Sequence, residues 1–263
     1  VTITSDGDRL VTGAADGSLR WWDSAWADAS RDLWKHPSDV YGLAFSADGR
    51  RAASAAWGGT VSLWDVATGG ELWQKRIHRQ SANAVAFSPD GRRLVSGGND
   101  GRLLLVDTSN GDVLNAWEEI GNGRAAGIAW SPDGRTVCSP SSRPTGKLWD
   151  AVSGKLLHTL TGGTGEIYSA AFSPDSKWVA VVWTGGEAAV FDRETGAPIS
   201  KLPAQPGGVY AVAFQPTGKI LATAGGNRKI SLWELPSGRL TRTLEGHTEL
   251  IYALDFTPDG SRL

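Results

Sequence analysis

One phrase returns through the whole chain at a nearly fixed interval. It reads Ala-Phe-Ser-Ala-Asp-Gly at 44–49, Ala-Phe-Ser-Pro-Asp-Gly at 86–91, Ala-Trp-Ser-Pro-Asp-Gly at 129–134 and Ala-Phe-Ser-Pro-Asp-Ser at 171–176, with looser copies at 3–7, 213–218 and 255–260. Its anchor falls at Ile3, Phe45, Phe87, Trp130, Phe172, Phe214 and Phe256, in steps of 42, 42, 43, 42, 42 and 42 residues. A second phrase closes 20 residues after each anchor, at Asp23, Asp65, Asp107, Asp150, Asp192 and Glu234. Two markers at constant phase over six copies make each repeat one supersecondary unit that buries its faces by stacking on its neighbours. The single extra residue lies in the glycine-rich stretch 121–127, as a loop insertion.

Each repeat divides into four short alternating segments. In the second these are 41–46, 51–56, 60–64 and 71–76, separated by Asp48-Gly49, Gly58-Gly59 and Thr68-Gly69. Asp followed by Gly suits the backbone angles of a hairpin turn. Four strands of about five residues at this spacing signal an all-β fold, and no segment keeps a helical period. A 40–45-residue repeat of four strands has the period of a propeller blade.

The motifs that carry a family likeness are Ser-Pro-Asp-Gly in the first hairpin, Leu-Trp-Asp at 63–65 and 148–150, and Gly246-His247 ahead of a repeat. On these the chain resembles the WD-repeat (WD40) β-propellers, in the Ser-Pro-Asp-Gly-Arg style common in bacterial members. The likeness covers essentially all 263 residues as a single domain. Six repeats fill 1–253, and 254–263 restart the pattern. The expected fold is therefore six complete four-stranded blades plus the first strand of a further blade, a fragment of a seven-bladed ring. Closure at six with a displaced overhang is the alternative.

Composition narrows function. Net charge is -2 and no block of like charge occurs, which argues against a nucleic-acid binder or a polybasic membrane-surface protein. No apolar run reaches the ~18 residues of a membrane-spanning helix. Cys138, the one cysteine, excludes an internal disulfide framework and a multi-cysteine zinc site. The glycine-rich 162–166 lacks the Lys-Ser/Thr of a phosphate loop, and no Gly-x-Ser-x-Gly elbow occurs. No cofactor, metal or catalytic set is expected.

The resemblance implies a buried hydrogen-bonded set of His, Ser or Thr, Asp and Trp in each blade. By phase, the His place holds His36, His78 and His247, with Gly or Gln in other repeats. The Ser/Thr place holds Thr12, Ser54, Ser96, Ser139, Val181 and Thr223. The Asp place holds Asp16 and Asp100, and the Trp place Trp22, Trp64, Trp149 and Trp233. No repeat has the whole set. These residues are expected to be structural.

All four tyrosines, Tyr41, Tyr168, Tyr210 and Tyr252, stand four residues before the aromatic anchor of their repeats. In the family this phase lines the upper rim, where partners bind. Neighbouring rim places fall at Asp39, Ser81, Arg124, Glu166, Gly208 and Leu250, and at Ala15, Trp57, Asn99, Ser142, Thr184 and Gly226. Tyr and Trp combine contact area with a polar tip, which suits an interface; the alternative is that each Tyr only caps the core. The expected partner surface comprises the four tyrosines with Trp57, Asp39, Glu166, Leu250, Asn99 and Arg124. The leading reading is a monomeric scaffold for a protein or peptide, with no nucleic acid and no membrane insertion. An enzyme or ligand-binding channel would need convergent titratable groups, whereas the inner-strand phases offer Ala, Gly and Tyr. A purely structural array would have a charge-only rim.

Overall fold

The computed structural model describes residues 2–3, 9–13, 18–23, 31–35, 38–118, 127–140 and 144–263. Among them are 24 strands in six antiparallel four-stranded sheets, each in the order of the chain. No helix occurs among the described residues, and hence none long and apolar enough to cross a membrane. The second sheet contains Val40–Phe45, Arg51–Ala56, Thr60–Asp65 and Glu71–Arg76, within one residue of the sequence-based bounds.

The turn phrases work through side chains. In the first hairpin of the third sheet, Ser88 Oγ donates to Asp90 Oδ1 at 2.6 Å, and the same oxygen accepts the Arg92 amide at 3.0 Å. Gly91 then takes a φ of 67°, which a side chain would resist. The aspartate closing the third strand acts similarly: Asp65 Oδ1 accepts the Thr68 amide and hydroxyl at 2.8 and 2.7 Å. These bonds hold the carboxyls of Asp90 and Asp65 below the ordinary range.

The chain groups into two compact units, 1–128 and 129–263, with three sheets each. In the first unit, Ala53, Ala55, Val61 and Leu63 of the second sheet pack on Val85, Phe87, Leu94 and Leu104 of the third. In the second, Val179, Val181 and Phe191 of the fifth sheet meet Cys138, Leu148 and Leu160 of the fourth. Val182 and Val190 meet Val212, Leu221 and Trp233 of the sixth. In the second sheet Arg51–Ala56 and Thr60–Asp65 are buried along nearly their whole length, whereas Glu71–Arg76 is mostly exposed as an edge. Burial of about 25 cal/mol per Å² of apolar surface drives the stacking.

The expected seventh first strand is not formed. Residues 251–256 carry no strand, although Ile251, Leu254 and Phe256 pack on Ala222 and Ala224 of the sixth sheet. Elsewhere a first strand takes its ladder from the second strand of its own sheet, and no such partner exists for 251–256 among the described residues. The hairpin turn does form, with Thr257 Oγ1 donating to Asp259 Oδ1 at 2.6 Å.

Candidate interaction surface

The buried polar set is assembled differently in each sheet. In the third, both side chains of the His78–Asp100 pair are nearly inaccessible, at 0% and 4%. His78 Nδ1 lies 2.9 Å from Asp100 Oδ1 and Nε2 lies 2.9 Å from Ser96 Oγ. Burial lowers the His78 pKa, outweighing the attraction of Asp100, so the ring is neutral at pH 7. The partners then assign the proton to Nδ1, with Nε2 accepting from Ser96. Burial opposes ionisation of Asp100, but the Arg79 amide at 2.9 Å and the His78 bond prevail and its pKa is lowered.

In the second, fourth and sixth sheets the bond that forms joins the Trp and Ser/Thr places. Trp64 Nε1 donates to Ser54 Oγ at 3.0 Å, Trp149 to Ser139 at 2.8 Å and Trp233 to Thr223 Oγ1 at 2.8 Å. Gln205 takes the His place of the sixth sheet, its Nε2 2.9 Å from Thr223 Oγ1. The fifth sheet replaces the whole set with apolar groups: Val181, Phe191 and Trp183 are buried, and the indole of Trp183 occupies the space beside Gly163. Removing donor and acceptor together leaves no unsatisfied group. His247 is exposed and takes no Ser, Thr or Asp partner among the described residues. His36, Asp16 and Arg124 lie outside the described residues. Thr12 and Trp22 lie on the strands Arg9–Gly13 and Ser18–Asp23, their side chains outside the described set. Burial pushes the Cys138 thiol up to about 12, so it has no thiolate character near neutrality.

The tyrosine phase has a backbone cause. Val40 pairs with Ala56 and Gly42 with Ala55, which leaves Tyr41 as the extra residue of a β-bulge. Tyr168 and Tyr210 are skipped in the same way, between Ile167 and Ser169 and between Val209 and Ala211. A bulge twists the strand and re-aims the unpaired side chain. Asn83 fills this bulge in the third sheet, where its Nδ2 donates to Asn99 Oδ1 at 2.5 Å.

In the second unit the rings meet. Tyr168 and Tyr210 stand edge to face at 5.1 Å, Tyr210 and Tyr252 lie 5.4 Å apart, and Tyr168 and Tyr252 6.2 Å apart. The Tyr210 hydroxyl donates to the Gly207 carbonyl at 3.1 Å. Tyr252 and Leu250 are exposed at 55% and 42%. In the first unit, Tyr41 meets Trp57 edge-on at 6.4 Å, and Trp57 is 59% exposed. The two neighbouring places in a sheet are joined by a backbone bond: Trp57 N–H to Asp39 carbonyl, Asn99 to Ser81, Thr184 to Glu166 and Gly226 to Gly208, all 2.8–2.9 Å. Each bond sets one such pair beside the bulge of its sheet. Sequence reasoning missed Asn83, and the constant anchor spacing around Tyr41, Tyr168 and Tyr210 was the available signal.

A family model described as IFT122 first beta-propeller matches residues 1–263. The chain belongs to that family, a β-propeller of the WD-repeat type, which supports a protein-interaction scaffold in general terms. No curated protein matches it.

Proposed function

From that membership, we propose that the chain captures a protein or peptide partner on the tyrosine-bearing ends of its first strands. The observation that carries this reading is the contact of Tyr168, Tyr210 and Tyr252, three residues of one repeat phase, with Tyr252 more than half exposed. Aromatic rings that keep a polar tip in water are favoured anchors for a partner. Glu166 is exposed and precedes Tyr168 by two residues, and exposed Glu249 precedes Tyr252 by three. A segment carrying Lys or Arg beside apolar anchors therefore suits this end. Near-neutral overall charge disfavours a nucleic-acid backbone.

A photo-crosslinking residue at Tyr252 tests the reading. It should trap a partner that the same residue at Leu240, on an outer strand, does not. Equal trapping at both positions would place binding elsewhere.

A further inference from the structure

The opposite ends of the first strands carry a second contrast between sheets. Asp133 and Asp175 are equivalent hairpin residues. Each uses Oδ1 internally, Asp133 for Ser131 Oγ and the Arg135 amide, Asp175 for Ser173 Oγ and the Lys177 amide. What meets Oδ2 differs. Between the fourth and fifth sheets, Arg193 Nη1 reaches Asp133 Oδ2 at 2.5 Å with Thr136 Oγ1 at 3.4 Å, and the arginine side chain is only 12% exposed. Between the second and third sheets a guanidinium also spans the gap, but from the other wall. Arg51 donates to Thr108 Oγ1 at 3.0 Å and to the Gly91 carbonyl at 2.8 Å, its Cζ 5.9 Å from the Phe87 ring centroid.

Thr108, Arg193 and Leu235 share one repeat phase, and Arg51, Thr136 and Trp178 share another. Between the fifth and sixth sheets these two places hold Leu235 and Trp178, neither of which supplies a cation. A cavity of about 410 Å³ opens there, lined by Pro174, Asp175, Trp178, Pro216, Lys219 and Leu235 among others. The nearest cation to Asp175 Oδ2 is Lys177 Nζ at 3.8 Å, with both side chains more than half exposed.

We propose that this gap binds an arginine side chain of a partner protein segment, which supplies from outside the guanidinium that the other two gaps hold from within. A guanidinium is planar, so it can stack on the Trp178 ring while two of its N–H groups face one carboxylate. The aliphatic stem lies against Pro174, Pro216 and Leu235. The Ser173 hydroxyl bond, opposed by burial and joined by the Lys177 amide, keeps the Asp175 carboxyl below its usual range and therefore charged at neutrality. Lys219 on the facing wall suits an acidic residue next to the arginine. A lysine in the partner offers neither the plane nor the fork and is the poorer ligand. The site is separate from the tyrosine end and does not depend on it.

The test is a titration of the isotopically labelled chain with the peptide acetyl-Gly-Arg-Glu-Gly-amide, and with its citrulline counterpart, followed by amide chemical shifts. The arginine peptide should shift the amides of 175–178 and 217–219 saturably, and citrulline, neutral but of the same shape, should not. Asp175→Asn should weaken binding at least tenfold, and Trp178→Leu, which leaves the hairpin aspartate in place, should also weaken it. Equal shifts with citrulline, the absence of a shift at these amides, or full binding by both variants would overturn the proposal.

Discussion

The imidazole of His78 and the carboxylate of Asp100 face each other across 2.9 Å with almost no solvent access to either. The same carboxylate accepts the Arg79 amide. Asp100→Ala strips the buried His78 ring, and with it the Arg79 and Arg102 amides, of their acceptor, and should cost roughly 1–3 kcal/mol. Urea unfolding of the variant measures this, and a midpoint equal to the parent's would assign the pair no structural weight.

The same pair predicts a pH dependence. Burial depresses the folded-state pKa of His78 despite Asp100, while Arg102 pushes in the same direction as burial. An unfolded histidine titrates near 6.5, as a rough reference. The unfolded chain therefore takes up the proton first on acidification. The contribution is fully present above about pH 6.5 and is lost as pH falls towards the folded-state pKa. His78→Gln keeps an acceptor for the Ser96 hydroxyl, as Gln205 Oε1 does for Thr223 at 3.2 Å, and removes the titration. Urea midpoints at pH 7.5 and 5.5 should differ more for the parent than for this variant.

Trp64 is 4% exposed and donates to Ser54. Trp64→Ala should destabilise by roughly 3–5 kcal/mol, as for other core aromatics. Trp64→Phe keeps most of the volume and leaves Ser54 without its donor, so its cost should be nearer 1 kcal/mol. Denaturant titration separates packing from hydrogen bonding by the difference.

Gly163 and Trp183 form a size-matched pair, because a Cβ on the glycine would enter the indole. Gly163→Ala should cost roughly 1–3 kcal/mol through overpacking. In a Trp183→Leu background the added methyl has room, and a double-mutant cycle should show that part of the cost disappears.

The sheets were readable because the repeat is a pattern of turns. Asp48-Gly49 and Asp65 with Thr68 fix where strands begin and end, and their side-chain bonds explain why those residue types recur. The bulges were not readable, since one extra residue in a first strand at Tyr41 or Tyr168 leaves the 42-residue period intact. The polar set was only partly legible. A phase comparison locates Ser54 and Trp64, but it cannot say that Trp183 fills the space beside Gly163. The residues at 251–256 have the composition of a first strand, yet a strand also needs a partner, which composition does not supply.

The central claim is that the bulge-borne tyrosines hold a partner. Once a segment trapped through position 252 is identified, its affinity for the parent chain and for Tyr168→Ala with Tyr210→Ala should be measured by calorimetry, with melting temperatures in parallel. Truncating a central aromatic anchor typically costs about 2 kcal/mol, or roughly thirtyfold in affinity. The account predicts at least that loss with a nearly unchanged melting temperature. An unchanged affinity, or a collapse of stability that accounts for the loss, would contradict it.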